Sequence, residues 1–210
     1  RIIFRLEYLK KKIILNISKC FSYKLFRNAF MSDILHYPLT DFVTSCGVRI
    51  PALRVYYQVF GKALGTAPVV VVNHAFTGNS QVTGENGWWK EAIGEGKLID
   101  TLKYTVVAFN IPGNGFGARE EDMIPNYEHW AGIDIARIFN QALTEHLGLN
   151  EVFALVGCSL GGGIAWEMAA LAPTLFKELV IVAADWKATD WIIGNCLLQE
   201  QILKNSTHPL

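Results

Sequence analysis

Three observations predict an α/β domain built on a mostly parallel sheet. Short apolar runs at 68–72, 104–110, 152–156 and 179–183 lack polar alternation, the pattern of strands buried on both faces. Stretches with helical spacing of apolar residues separate or follow them. One run passes directly into a glycine-flanked serine and then into a helix-like segment. Strands alternating with helices imply parallel strands joined by crossovers, a three-layer α/β arrangement. A chain of 210 residues, 51% of them apolar, can bury one substantial core, and one domain is the default.

Taken in order, segments 41–48 and 52–60 read as two short strands joined near Gly47 and Pro51. The second carries Val55-Tyr56-Tyr57-Gln58-Val59, and the pair suits an antiparallel entry to the sheet. The four-valine run within 68–72 is a buried strand ending at Asn73-His74-Ala75-Phe76-Thr77-Gly78, followed by a glycine- and tryptophan-rich loop over 79–96. Segment 104–110 is another strand, closing on Ile111-Pro112-Gly113-Asn114-Gly115. From 128 to 147, Ile135, Ile138, Phe139, Ala142, Leu143 and Leu147 form one helical stripe, and Gly148 is the expected stop. The strand 152–156 and a helix from Ile164 to a stop near Pro173 come next, then the strand 179–183 and a helix over 190–203. No internal repeat or low-complexity segment interrupts this order.

Net charge is zero but unevenly spread: residues 1–30 carry eight Lys/Arg against Glu7 alone, and residues 31–210 eleven against eighteen acids. An acidic body gives no reason to expect nucleic-acid binding. Residues 1–30 read as a basic leader outside the folded domain, with Met31 as the start of the protein proper. The apolar run Ile13-Ile14-Leu15 is broken by Asn16, Ser18 and Lys19, which argues against a secretory signal, and no stretch is long and apolar enough for a membrane span. A basic amphipathic surface anchor is the rival reading of the leader. Cys20, Cys46, Cys158 and Cys196 are widely spread, with no metal-ligand spacing, and point to a reducing cytoplasm.

The chemistry gathers beyond the carboxyl ends of the strands, where ligands bind in such sheets. That rim collects 74–78, 110–115, Ser159 and Asp185. Gly157-Cys158-Ser159-Leu160-Gly161-Gly162 places a serine on a sharp strand-to-helix bend, with glycines where a Cβ would block the crossing of strand and helix. Ser159 is therefore the candidate nucleophile, set against a glycine-rich turn kept for packing alone. Attack on an acyl carbonyl builds negative charge on oxygen, which backbone N–H groups must meet. Leu160 supplies one donor, and Phe76, on the loop after the four-valine strand, supplies the second. Serine also needs a histidine to take its proton and an acid to orient it, in the order serine, acid, histidine. His74 precedes Ser159 and reads as a residue shaping the 74–78 loop rather than as the base. His129 and His146 read as solvated helix residues. His208 follows Ser159 but stands two residues from the end, where nothing would hold it. Asp185 ends a strand but is disfavoured as the acid. Cys158 reads as a packed elbow residue. The 113–117 glycines form a tight rim loop, since the spacing fits neither a phosphate cradle nor a dinucleotide turn. Trp88, Trp89, Trp186 and Trp191 read as packing, or as an apolar wall for substrate.

These segments together resemble the homoserine O-acetyltransferase family of α/β-hydrolase-fold acyltransferases. The resemblance rests on 73–78, on Gly87-Trp88-Trp89 with Ile93-Gly94, on Lys97-Leu98-Ile99-Asp100-Thr101, on 110–117 and on 157–163, collinear from about 55 to about 203. It implies an α/β-hydrolase fold and transfer of an acetyl group from acetyl-CoA, a substrate rather than a cofactor, to the hydroxyl of homoserine through a Ser159 acyl-enzyme. It also implies a homodimeric full-length enzyme of methionine biosynthesis, cytoplasmic, without metal. Phe76, Cys158 and Leu160 stand where leucine, glycine and methionine are usual, and the 110–115 loop departs from the commoner glycine-cysteine form. These departures leave open succinyl-CoA as donor and serine as acceptor. In the family the acid and histidine follow a helical lid. The expected layout is thus a core over 31–189 and the beginning of the lid over 190–210. The resemblance implies that the triad acid and base and the substrate-binding arginine belong to a part beyond the given sequence, so that the chain is expected to be an inactive or nearly inactive fragment with an exposed sheet edge. The rivals are an esterase or thioesterase of the same fold and a non-catalytic binding protein.

Overall fold

The structure is a computed structural model that describes residues 32–124 and 127–206. The basic leader at 1–30 and His208 lie outside the described residues.

Among the described residues a six-stranded sheet organises the domain, in the order β1-β2-β6-β3-β7-β8. Its strands are β1 (Leu35–Val43), β2 (Arg49–Gly61), β3 (Val69–Asn73), β6 (Thr105–Phe109), β7 (Val152–Cys158) and β8 (Phe176–Val182). β6, β3, β7 and β8 are parallel, and β1 and β2 enter antiparallel. Two-residue strands β4 (Ile93–Gly94) and β5 (Ile99–Asp100) pair separately in the segment between β3 and β6.

The valine run shows why β3 lies at the centre. Val69 and Val71 join one apolar cluster, Val70 and Val72 the other, as the two-residue period of a strand requires. The first face is covered by α1 (Gly132–Gln141), which runs on through a π-helical turn at Ala142–His146, and by α2 (Leu160–Leu171). The predicted stripe is what packs there: Ile138, Phe139, Ala142 and Leu143 are all fully buried, with Phe139 stacked on Phe109 at 4.6 Å. Gly148, at φ 65°, ends the run. The second face is covered not by a regular helix but by the segment between β3 and β6, through Val82, Ile93 and the half-buried Trp88 and Trp89. Those two indoles stack at 4.8 Å, and Trp88 Nε1 donates to the Asn79 carbonyl at 2.8 Å.

The amino end of α1 is held by a buried carboxylate. Asp134 accepts from the Ala131 amide at 3.0 Å and from both the amide and the hydroxyl of Ser45, at 2.6 and 2.9 Å. One side chain thereby caps a helix and pins the turn between β1 and β2 to it.

Two boundaries differ from the sequence reading. β1 lies at Leu35–Val43, not 41–48, because residues 44–48 form the turn, closed by the Thr44 and Val48 amide and carbonyl groups. β8 begins at Phe176, earlier than 179, since pairing with Val152 of β7 carries the mixed sequence Phe176-Lys177-Glu178 into the sheet. The final helix, α3 (Asp190–Lys204), falls where the sequence predicts. Its entry is capped by Thr189 Oγ1, which accepts from the Ile192 amide, and none of its residues is buried.

Candidate active site

Ser159 joins β7 to α2 with φ 52° and ψ −119°, a conformation that costs an L-residue about 1–3 kcal/mol and must be held by its surroundings. Three hydrogen bonds hold it. The Ser159 amide donates to the Val182 carbonyl of β8 at 2.9 Å, and the Ser159 carbonyl accepts from Gly162 and Gly163 at 2.9 and 3.1 Å. With both flanking peptides engaged, the residue stands exposed at the apex. Leu160 is the first helical residue, so its N–H has no partner within the helix and faces outward with the positive end of the dipole.

The glycines behave as their positions require. A methyl group on Gly157 would collide with the Gly161 carbonyl, and one on Gly161 with the carbonyls of Asn73 and His74. The first turn of α2 therefore lies directly against both the end of β7 and the end of β3, the point from which the 74–78 loop departs. Gly162 is as restricted, by the Ala184 methyl at 2.5 Å, whereas Gly163 faces open space.

His74 does what the sequence reading expected of it, and more. Its ring is buried and both nitrogens are occupied. Nδ1 lies 2.6 Å from the Ala75 carbonyl, and Nε2 accepts from the Ile111 amide at 2.9 Å. The pattern requires a neutral ring protonated at Nδ1. Burial pushes its pKa below the ordinary histidine value, opposed by the Ala75 bond. With Nε2 committed to Ile111, the ring is not available to take a proton from Ser159.

Around it, the 110–117 loop is tied to the 74–80 loop. Asn110 Oδ1 accepts from the Ser80 amide at 2.7 Å, and Asn110 Nδ2 donates to the Phe116 carbonyl at 2.9 Å. Asn114 Nδ2 reaches His74 Nε2 and the Gly78 carbonyl, each at 3.3 Å. Ser80 Oγ donates to buried Gln58 Oε1 at 2.7 Å, extending the ties into β2. The sequence reading treated Asn110 and Asn114 only as members of a tight loop. Two asparagines set among glycines at a strand end were the available signal.

The remaining candidates separate. Phe76 follows His74 by two residues on the same loop, with its side chain 79% exposed. Asp185 is exposed beyond β8 and accepts from its neighbour's amide, Trp186, at 3.2 Å; no histidine contacts it among the described residues. His129 is exposed, and its carbonyl accepts from the Cys46 thiol. His146 is exposed but not free: Nε2 lies 3.0 Å from the Tyr57 hydroxyl and its ring stacks on Tyr37. Cys158 is partly buried at the end of β7. The tryptophans divide, Trp88 and Trp89 packing on the core while Trp186 and Trp191 are exposed.

An exposed serine at a strained strand-to-helix bend, on a sheet of this order, defines the α/β-hydrolase class. The model of the α/β hydrolase fold family matches residues 68–198, and the chain belongs to that family. Within it the chain is similar to homoserine O-acetyltransferases. It is 31% identical over 168 residues to the homoserine O-acetyltransferase of Corynebacterium diphtheriae, covering 77% of this chain and 45% of that protein. It is 33% identical over 180 residues to that of Halorubrum lacusprofundi, covering 69% and 41%. Among solved structures it superposes on homoserine O-acetyltransferase from Staphylococcus aureus with a TM-score of 0.70 at 26% identity, covering 84% of this chain and 54% of that one. An acetylester hydrolase from Corynebacterium glutamicum gives 0.68 at 20% identity, covering 82% and 50%, a likeness of fold. The chain spans less than half the length of the two curated relatives. No described helix is long and apolar enough to cross a membrane.

Proposed function

We propose that this chain carries the nucleophile side of an O-acyltransferase site that moves an acetyl group from acetyl-CoA to the hydroxyl of homoserine, a step of methionine biosynthesis. The carrying observation is Ser159, held exposed at φ 52° at the start of α2. Similarity to relatives named homoserine O-acetyltransferase supports the choice of acyl transfer.

In this reading Ser159 Oγ attacks the thioester carbonyl, its proton passes to a base, and the tetrahedral oxyanion is met by the N–H groups of Leu160 and Phe76. Collapse expels the CoA thiolate, which takes a proton, and leaves acetyl-Ser159. The homoserine hydroxyl then attacks that ester, giving up its proton, and frees the serine. His74 cannot serve as the base while Nε2 accepts from Ile111. No histidine hydrogen-bonds Ser159 among the described residues, so turnover is expected only where a base reaches it from outside them.

The test is intact-mass spectrometry after incubation with acetyl-CoA, joined with free-thiol release with and without homoserine. It is run on the protein at the full length of its reading frame. An acetyl adduct on Ser159 that homoserine discharges supports the proposal, and Ser159→Ala must abolish it. Thiol release independent of homoserine would instead indicate a hydrolase. No adduct and no release in the full-length protein would overturn both.

A further inference from the structure

We infer that His74 is a positioning residue of the serine site: a neutral, Nδ1-protonated imidazole that ties the 74–78 loop to the 110–115 loop and so sets where the Phe76 amide stands. It acts through the backbone and touches no reacting atom. Its relevance to catalysis rests on the acyl-transfer reading, but the tie itself can be measured without turnover.

The geometry is that of a two-ended strut. At one end Nδ1–H donates to the carbonyl of Ala75, the residue just before Phe76. At the other, Nε2 accepts from the Ile111 amide, with Asn114 Nδ2 also approaching it. The ring is buried, so neither bond is exchanged cheaply for water. The backbone carbonyl of His74 also bounds the space beside Gly161, which places the first turn of α2 against the residue that holds the loop. Loop, partner loop and nucleophile helix thus converge on one side chain.

Direction matters to this strut. Protonating Nε2 would aim an N–H at the Ile111 N–H and at the Asn114 amide, turning an acceptor into a donor that faces donors. The ring's partners, Ala75 O, Ile111 N and Asn114 Nδ2, carry no charge, and no ion pair contributes to its displaced pKa. The tie is therefore expected to hold at neutral pH and to open in acid.

The experiment is NMR of the uniformly labelled chain. Long-range nitrogen–proton correlation of the His74 ring reports its tautomer, and amide exchange is followed across 75–78, 111–115 and the β1–β2 pair as reference. A ring protonated at Nδ1 at neutral pH is expected. The Phe76 and Ile111 amide resonances should shift together with the ring as it titrates, while those of β1 stay in place. In His74→Phe, which keeps a ring but neither bond, exchange in both loops should rise at least roughly tenfold over the β1–β2 reference. His74→Gln, whose side-chain carbonyl can still accept from Ile111, should restore the 111–115 side more than the 75–78 side. A ring protonated at Nε2, loop resonances indifferent to its titration, or His74→Phe exchange equal in loops and reference would each overturn the inference. Should His74→Phe fail to fold, the tautomer and the wild-type titration decide. An intact tie in a protein that forms no acyl-enzyme would sink the catalytic reading alone.

Discussion

The strain at Ser159 is separable from its chemistry. Ser159→Gly removes the Cβ that makes φ 52° costly and should stabilise the fold by about 1 kcal/mol in urea unfolding while abolishing any acyl-enzyme. A loss of stability would show that the bend is not strained in this chain. The glycines of the same turn give a paired test. Gly161→Ala drives a methyl into the Asn73 and His74 carbonyls and should cost about 2–3 kcal/mol. Gly163→Ala, which meets open space, should cost nothing and can gain up to about 1 kcal/mol of helix propensity. For His74 the sign follows from its lowered pKa. The unfolded chain takes up the proton first, so stability is fully present above the ordinary histidine value of about 6.5 and falls as pH drops toward the folded-state value. Urea midpoints measured from pH 7.5 to 5 should decline more steeply in the wild type than in His74→Gln.

At the scale of the element, what was legible from the sequence is what depends on near neighbours along the chain. The valines of β3, the stripe of α1, the start of α3 and the strand-to-helix bend at Ser159 all follow from local spacing, and each stands where its pattern put it. The first strand did not, because the turn that displaces it is stabilised from afar. Asp134, 89 residues on, caps its own helix and also accepts both the amide and the hydroxyl of Ser45, a contact with no local signal. His74 was legible as a loop-shaping residue, but its partners and those of Asn110 and Asn114 were not, being contacts between loops 30 to 40 residues apart. Asp134→Ala would remove the acceptor of the Ser45 and Ala131 amides and uncap α1, and should cost about 1–2 kcal/mol, measured by thermal or urea unfolding. It should do so without altering the environment of Ser159. A change under about 0.5 kcal/mol would mean that water replaces the carboxylate without loss.

Across the whole molecule, apolar surface is distributed unevenly. β8 ends the sheet, with Val180 45% exposed and Val182 39%, and α3 exposes Trp191, Ile192, Leu197, Leu198 and Ile202. An outer strand with an open backbone edge and apolar side chains is a template for association. The chain should therefore bind a hydrophobic dye and self-associate at micromolar concentration, and Val180→Lys should reduce both without loss of secondary structure. Light scattering that is unchanged by Val180→Lys would locate the sticky surface elsewhere, with α3 the next to test.

The meeting of Gly161 with the ends of Asn73 and His74 has a mechanical consequence. Main chain abuts main chain there, with no rotamer in between to hop or melt. Warming or a passing ligand can loosen interdigitated side chains elsewhere, but this seam offers no torsion to soften. The helix that follows Ser159 and the strand behind the neighbouring loop are keyed together like two stones laid without mortar, and they shift as one or not at all.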